Sequence, residues 1–237
     1  MSKDSFEFRR FVVRQDRCAM KVGTDGTLLG AWTAMADEEG RVLDIGTGTG
    51  LIALMMAQRY PHCRVTAIDI DPEAVAQAAG NVAASPFADR IRVLASDVSA
   101  YADDEAGFDA IVSNPPYFNQ SLECPDGQRT MARHTSSLSY AQLMEAAWRL
   151  LREDGVLSLI IPDDCRAALE AEARLRGFFL TRFCAVRTTP RKAPKRYLME
   201  FRKSPAVELD RQEGVLEIQP NVRSPWYQSL TQDFYIK

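Results

Sequence analysis

The chain has 237 residues, a net charge of −3 and an apolar fraction of 46%, which is ordinary for a globular protein with a sizeable core. It has no apolar run as long as a membrane span and no signal-peptide pattern at its start, so we expect a cytosolic protein, and we expect a monomer. Its five cysteines are scattered without C-x-x-C spacing, which argues against a disulfide framework and against a zinc site.

The charge is unevenly distributed along the chain. Between Arg176 and Lys203 there are nine basic residues and one acid, Glu200, so this segment carries +8 and the remainder carries −11. A basic band on an acidic body is typical of a protein that binds a polyanion on one side. The alternative is a charged face that only meets solvent.

The first 22 residues predict a short β appendage. Apolar residues at 6–13 and 19–22 indicate two strands, with a polar turn near residues 15–17. A helix follows, and either Thr24 or Asp25 has the side chain to cap its start.

From Arg41 onward, short apolar runs alternate with helical patterns. This alternation predicts an α/β fold with a doubly wound, mostly parallel sheet. The predicted strands cover residues 42–45, 65–71, 91–95, 108–113 and 156–161, and the predicted helices begin at Leu51, Glu73, Tyr140 and about Asp163.

The basic band falls at the end of this pattern. Runs at 178–186 and 196–201 predict two final strands that form an antiparallel hairpin, joined by the basic segment 187–195. We divide the chain into N-terminal strands (1–22), a core (23–203) and a C-terminal extension (204–237), all within one domain of residues 1–237.

A glycine loop lies between the first core strand and its helix, with glycines at positions 46, 48 and 50. Such a loop lets the backbone approach a ligand closely and offers it N–H groups. The spacing is G-x-G-x-G and differs from the G-x-G-x-x-G of dinucleotide dehydrogenases. By itself the loop therefore indicates a ligand without identifying it.

Three carboxylates accompany the strands. Asp44 lies within the first core strand, Asp69 ends the second, and Asp97 follows the third. If these strands are adjacent and parallel, all three acids reach one edge of the sheet. Buried carboxylates without donors are costly, so this edge is expected to meet hydrogen-bond donors.

The fourth strand ends in the corner Asn114-Pro115-Pro116-Tyr117. Two prolines stop a strand abruptly and stiffen the chain that follows. Such a corner holds the Asn114 amide and the Pro115 carbonyl at the carboxyl end of a strand, where open parallel sheets bind ligands.

Together these motifs resemble those of class I S-adenosylmethionine-dependent methyltransferases of the amino-methylating branch. Within that branch, the chain is similar to the family that methylates N6 of the adenosine beside the anticodon of valine tRNA. The further points of similarity are Thr24-Asp25-Gly26, Ala132-Arg133-His134 and the terminal Leu230-Thr231-x-Asp233-Phe234-Tyr235.

The resemblance implies S-adenosylmethionine as the cofactor and no metal. It implies that Asp69 accepts from both ribose hydroxyls, that Asp97 faces the adenine amino group, and that Asp44 either lies near the cationic end of the cofactor or braces the glycine loop. The full implied cofactor set is Lys21, Thr24, Asp44, Gly46, Gly48, Gly50, Asp69, Ile70, Asp97, Val98 and Asn114.

The resemblance also implies a tRNA substrate and a catalytic group. The Asn114 amide oxygen and the Pro115 carbonyl would accept both hydrogens of the target NH2, and Tyr117 would stack on the extruded base. The expected RNA contacts are Arg133, Arg187, Arg191, Lys192, Lys195 and Arg196.

Other functions remain open from the sequence. A protein glutamine N5-methyltransferase of the release-factor type has the same corner, but it carries a sizeable helical domain ahead of the glycine loop. A guanosine N2-methyltransferase acting on ribosomal RNA is a further alternative. A nicotinamide-dependent oxidoreductase is disfavoured by the glycine spacing, and a non-catalytic RNA-binding module by the intact acids and corner.

Overall fold

The computed structural model describes residues 4–17, 21–115 and 138–236. Helices and strands alternate as the sequence predicts, and a further strand pair and a helix follow near the carboxyl terminus. The helices are α1 (Thr24–Trp32), α2 (Leu51–Arg59), α3 (Pro72–Ala83), α4 (Tyr140–Leu150), α5 (Asp163–Arg176) and α6 (Pro225–Thr231). The strands are β1 (Ser5–Glu7), β2 (Val12–Arg14), β3 (Arg41–Ile45), β4 (Arg64–Asp69), β5 (Ile91–Ala95), β6 (Phe108–Ser113), β7 (Leu151–Pro162), β8 (Phe179–Arg187), β9 (Arg196–Arg202), β10 (Asp210–Val215), β11 (Glu217–Gln219) and β12 (Val222–Arg223).

Eight strands form one sheet in the order β10-β8-β9-β7-β6-β3-β4-β5. Neighbouring strands are parallel except at β9, which runs antiparallel to both β7 and β8. The mostly parallel α/β sheet and the terminal β8-β9 hairpin are therefore confirmed. After β5 the chain returns to place β6 on the other side of β3, which creates the crevice where open α/β sheets bind ligands.

Helices cover both faces of this sheet. Buried side chains of α1 and α2 pack on one face, and buried side chains of α4 and α5 pack on the other. The two helices on the first face approach closely at Gly30, where an added Cβ would lie 2.8 Å from the sulfur of Met55. Within the described ranges, no helix is long and apolar enough to cross a membrane.

The N-terminal appendage is an antiparallel pair, but its turn is not where the sequence predicted it. β1 and β2 both fall within the first predicted strand, and the Phe8 N–H donates to the Phe11 carbonyl at 2.9 Å across the turn. The polar residues assigned to the turn include Gln15, which is buried and accepts from the Val22 N–H at 2.8 Å. Gln15 thus bonds to the backbone of Val22 seven residues on, and the turn between the two strands forms at residues 8–11 instead.

The predicted cap of α1 was also wrong. Gly23 is the N-cap residue of α1 and Pro162 that of α5, and neither cap makes a side-chain hydrogen bond. Asp25, Asp163 and Asp164 lie within the first turns of their helices, where the positive end of the helix dipole stabilises a negative charge. Asp25 instead forms an ion pair with Arg196, with 2.6 Å between its Oδ1 and the Arg196 Nε.

The C-terminal extension adds a strand that the sequence analysis missed. β10 lies parallel to β8 at the edge of the sheet, and its sequence is too polar to give an apolar strand signal. α6 packs against it at Gly214, where an added Cβ would overlap the ring of Trp226. The carboxyl end also meets the appendage, because the Arg9 N–H donates to the Phe234 carbonyl at 2.8 Å.

The basic band does not form one surface. Five of its cations form ion pairs within the chain, and only the part from Arg187 to Arg196 lies at the carboxyl ends of the parallel strands. The ion pairs are Arg176 with Glu145, Arg182 and Arg202 with Glu200, Arg187 with Glu213, and Arg196 with Asp25.

Candidate active site

The predicted site residues meet at the edge of the sheet where the parallel strands end, which we call the carboxyl edge. Ile45, the last residue of β3, is in register with Ile68 of β4 and with Ser113 of β6. The next residue of each strand is therefore Gly46, Asp69 or Asn114, and these three lie side by side. The sequence prediction that the motifs share one edge is confirmed by this register.

The glycine loop has a backbone that only glycine adopts readily. Gly46, Gly48 and Gly50 have φ values of 70°, 56° and 81°. In front of Gly46 and Gly48, no atom of the described residues lies within 4 Å of the position that a Cβ would take. The loop thus presents open backbone to the crevice, as a closely bound ligand requires.

Asp44 is fully buried behind this loop. Its Oδ2 accepts from the Thr47 hydroxyl at 2.6 Å and from the Ala53 N–H at 3.1 Å, so Asp44 braces the loop. Its Oδ1 is also buried and has no hydrogen-bond partner among the described residues. Burial raises the pKa of Asp44 to about 7, and the charge of Asp69 adds to the rise, against the donors Thr47 and Ala53.

An orphaned buried carboxylate oxygen next to an open glycine loop is an incomplete arrangement. It would be completed by a donor, and a cationic amino group is the most favourable one because it stabilises the charged form of Asp44. The residues present therefore fit the amino-acid end of S-adenosylmethionine. Both alternatives for Asp44 are compatible, since Oδ2 braces the loop and Oδ1 has no partner among the described residues.

The other two acids are less buried. Asp69 accepts from the Gly48 N–H at 2.9 Å through Oδ2 and from the Asp71 N–H at 3.0 Å through Oδ1. Asp97 is exposed in the turn after β5, where its Oδ1 accepts from the Ser99 N–H at 2.8 Å. Within the described ranges, no group of three His, Cys, Asp or Glu side chains could hold a metal ion.

The residues after these two acids differ in their environment. Ile70 is 57% exposed, whereas Val98 is 4% exposed and belongs to the core under α4. The side chain of Ile70 therefore offers an apolar surface beside Asp69. Val98 has only its backbone available to a ligand.

The Asn-Pro corner begins where β6 ends. The Ser113 hydroxyl donates to the Ile45 carbonyl at 2.8 Å, which fixes the end of β6 against β3. Asn114 is half-buried and Pro115 is buried. Tyr117 and Arg133 lie outside the described residues, so their predicted roles remain predictions.

The start of α1 forms one wall beside the glycine loop. An added Cβ at Gly26 would lie 3.1 Å from Leu51 Cδ2, and Leu51 is the first residue of the helix that follows the loop. Thr24 is half-buried and Lys21 is exposed at this end of α1. The start of α1 thus lies next to the glycine loop, and the cofactor contacts predicted for Thr24 and Lys21 remain predictions.

Sequence reasoning missed two amides of α3 that tie this helix to the glycine loop and to the N-terminal appendage. Asn81 donates to the Thr49 carbonyl of the glycine loop at 2.8 Å and accepts from the Arg14 N–H at 2.9 Å. Gln77 accepts from the Arg17 N–H at 2.8 Å. Their signal was two buried amides four residues apart on a helix face that is otherwise apolar.

The basic segment 187–195 lies on the other half of the carboxyl edge. Pro162 at the end of β7 is in register with Arg196. Three cations of this segment are exposed, namely Arg191, Lys192 and Lys195. Arg187 forms an ion pair, with 3.6 Å between its Nη2 and the Glu213 Oε1. The edge is thus polarised, with acids after β4 and β5 and with bases after β8.

The doubly wound sheet, the glycine loop backed by acids, and the Asn-Pro corner define a methyltransferase of the α/β class. Comparison with known proteins agrees, because the family model described as "Methyltransferase small domain" matches residues 22–185. Among curated relatives, a tRNA1(Val) (adenine(37)-N6)-methyltransferase of Phocaeicola vulgatus is 47% identical over 100% of this chain and 99% of its own. One of the same name from Histophilus somni is 42% identical over 99% of this chain and 98% of its own. The chain belongs to this family of tRNA1(Val) (adenine(37)-N6)-methyltransferases.

Solved structures support the same fold. A predicted O-methyltransferase from Agrobacterium tumefaciens superimposes with a TM-score of 0.67 over 89% of this chain and 96% of its own, at 22% identity. At that identity the likeness concerns the fold alone.

Proposed function

We propose that the protein transfers a methyl group from S-adenosylmethionine to the exocyclic N6 of an adenosine in tRNA, namely adenosine 37 of tRNA1(Val). The observation that carries the proposal is the full-length similarity to relatives of that name, 47% identity over 100% of the chain. The Asn114 corner beside the glycine loop supports an amino group as the target.

Parallel assays test this proposal directly. The protein would be incubated with labelled cofactor and either bulk tRNA or a peptide-chain release factor, and nucleosides from the tRNA would be analysed by mass spectrometry. N6-methyladenosine in tRNA supports the proposal. Label in the release factor, or in guanosine, would replace it with one of the alternatives.

The cofactor would be held by the acidic half of the carboxyl edge. The buried Oδ1 of Asp44, which has no partner among the described residues, would accept from the amino group, and the glycine loop would offer its backbone N–H groups. Asp69 accepts from the ribose, and Ile70 packs against the adenine. The proposed set is completed by Asp97, Thr24, Lys21 and the backbone of Val98.

The chemistry requires placement more than acid or base catalysis. S-adenosylmethionine supplies an electrophilic methyl group on a sulfonium. The N6 lone pair of adenosine is delocalised into the ring, so N6 is a weak nucleophile. The Asn114 amide oxygen and the Pro115 carbonyl accept hydrogen bonds from the two N6 hydrogens. These bonds orient the lone pair toward the methyl carbon and remove entropic and solvent costs of several kcal/mol.

The electron balance needs no general base before attack. When bound, the cofactor would supply the methyl group with its sulfonium sulfur as the leaving group, so that sulfur would keep the bonding pair as a neutral thioether while N6 bonds to the methyl carbon. N6 becomes acidic only after it has gained the methyl group, so its extra proton then leaves to water. Tyr117 is proposed to stack on the extruded base.

Cofactor affinity should depend on pH through Asp44. Its pKa of about 7 in the folded protein means that Asp44 is mostly protonated at pH 6, and a cationic ligand favours its charged form. Affinity should therefore rise about tenfold per pH unit between about pH 5.5 and 6.5 and level off above pH 7. Calorimetry in two buffers at pH 6 should show about one proton released on binding.

Asp44→Asn is the control for this pH dependence. The variant should bind more weakly at pH 7.5, and its affinity should not change between pH 5.5 and 7. Equal proton release by the variant and the native protein at pH 6 would assign the proton to another group.

The basic half of the edge would bind the RNA backbone. Charge reversal in the variant K192E/K195E should weaken tRNA binding by at least about tenfold near 0.1 M salt and reduce the slope of log affinity against log salt by about 2. Filter binding across a salt series measures both quantities.

A matched control reverses two exposed arginines far from the carboxyl edge. Arg92 is the second residue of β5, at the end of the strand opposite to the carboxyl edge, and Arg174 lies in the last turn of α5. R92E/R174E should leave the slope within about 0.5 of the native value. If both variants weaken tRNA binding alike, the effect is one of net charge and not of the basic segment.

A further inference from the structure

Residues 216–223, which we call the edge hairpin, contain β11 and β12 and follow β10. Val215 of β10 is in register with Arg187 of β8, and both strands run in the same direction as β6. The edge hairpin therefore leaves the sheet at the same carboxyl edge as Asn114.

Its base is tied to the basic segment. The Leu216 N–H donates to the Arg187 carbonyl at 2.9 Å, and the Glu217 N–H donates to the Thr188 carbonyl at 3.0 Å. The Ser224 N–H donates to the Leu216 carbonyl at 2.9 Å, which closes the hairpin, and the Leu216 side chain is 8% exposed. The hairpin is thus held in a defined position beside the cations of residues 187–195.

The half of the edge hairpin nearest its turn carries two aliphatic side chains that are open to solvent. Ile218 is 49% exposed and Val222 is 43% exposed, and Asn221 at the turn has a φ of 63°. Two exposed aliphatic side chains on a tethered hairpin are not needed for the core. Glu213, two residues before the end of β10, has its Oε1 3.6 Å from Arg187 Nη2, so this cation offsets part of its charge.

Cations next to exposed apolar side chains form a surface suited to unpaired nucleic acid. The cations bind phosphates, and the apolar side chains pack on the faces of bases, which every base offers. Four strand spacings separate β6 from β10, or about 19 Å, a distance that several nucleotides of a loop span.

We propose that the edge hairpin is an RNA-docking element in which Ile218 and Val222 pack against unpaired bases of the substrate loop while the basic segment binds the adjoining phosphates. This inference rests on the proposed function, because it names the part of the protein that selects the RNA loop. It assigns a role to the C-terminal extension.

The test compares two double variants that each change two exposed aliphatic residues to serine. I218S/V222S alters the edge hairpin. The control, L175S/V207S, alters Leu175 at the end of α5 and Val207 between β9 and β10, which are 81% and 109% exposed at the opposite edge. The affinity of each protein for tRNA and for an isolated anticodon stem-loop is measured across a salt series, together with cofactor affinity and the thermal midpoint.

I218S/V222S should lower the affinity for both RNAs by about tenfold, because about 1.4 kcal/mol of apolar contact is lost. Its salt slope should stay unchanged, since no phosphate contact is lost, and its cofactor affinity should stay within about twofold. I218V/V222I should restore RNA binding. The control should bind RNA like the native protein.

The outcomes separate the inference from the proposed function. Native binding of both RNAs by I218S/V222S would overturn the docking role while leaving the methylation of tRNA in place. A tenfold loss that appears equally in L175S/V207S would also overturn it. A native protein that binds neither RNA would overturn the docking role and the proposed function together.

Discussion

Asn114→Ala should lower the rate of methyl transfer to tRNA by about 10² to 10³, because it removes an acceptor that orients the target NH2. The end of β6 should keep its position, since the Ser113 hydroxyl holds it to the Ile45 carbonyl at 2.8 Å. Asp44 and the glycine loop are untouched. Cofactor affinity should therefore stay within about threefold in a calorimetric titration.

Asn114→Asp provides the matched comparison. It keeps an oxygen acceptor at the same place, so single-turnover rates should exceed those of Asn114→Ala by at least about tenfold. Rates of Asn114→Ala within a few-fold of native would remove Asn114 from the mechanism. A large loss of cofactor affinity in Asn114→Ala would instead make it a cofactor-binding residue only.

Arg182→Met should destabilise the protein by about 3 kcal/mol, because the buried carboxylate of Glu200 loses the closer of the two arginines paired with it, Arg182 and Arg202. Arg182 Nη2 is 3.0 Å from Glu200 Oε2 and donates to the Trp32 carbonyl at 3.0 Å. Its guanidinium carbon also lies 3.7 Å from the centre of the Trp32 ring. The thermal midpoint should fall by about 6 to 12 °C in calorimetry.

Two further variants control for this effect. Arg174→Met, on the exposed face of α5, should change the free energy of unfolding by less than about 0.5 kcal/mol. R182M/E200M should recover at least half of the loss, since a buried pair replaced by apolar side chains is often nearly neutral. If the double variant is less stable than Arg182→Met, the cost comes from packing around Trp32 and not from the loss of Arg182 beside the Glu200 carboxylate.

The local motifs could be predicted because each has a signature within a few residues. Alternating runs indicated the parallel sheet, and parallel strands end at one edge. The sequence pattern therefore predicts that the glycine loop, Asp69, Asp97 and Asn114 meet at one edge. The strand register confirms that Gly46, Asp69 and Asn114 share the carboxyl edge.

Features that depend on distant partners could not be predicted in this way. The pairing of Arg196 with Asp25, the contacts of Asn81 to the glycine loop, and the burial of Arg182 against Trp32 join segments far apart in the chain. The polar strand β10 was missed because an edge strand has one unpaired side and needs little apolar sequence.

Local patterns were enough to predict the fold class, the chemistry of the loop and corner, and the edge where they meet, because alternating strands and helices impose parallel strands that end at one edge. Three features appear only in the folded protein: Asp44 keeps one buried oxygen without a partner among the described residues, the basic band divides between core ion pairs and the carboxyl edge, and the C-terminal extension adds a strand and an edge hairpin. The physical reason is that burial and pairing energies depend on which side chains meet in space, and the order of residues along one strand or helix does not specify those meetings.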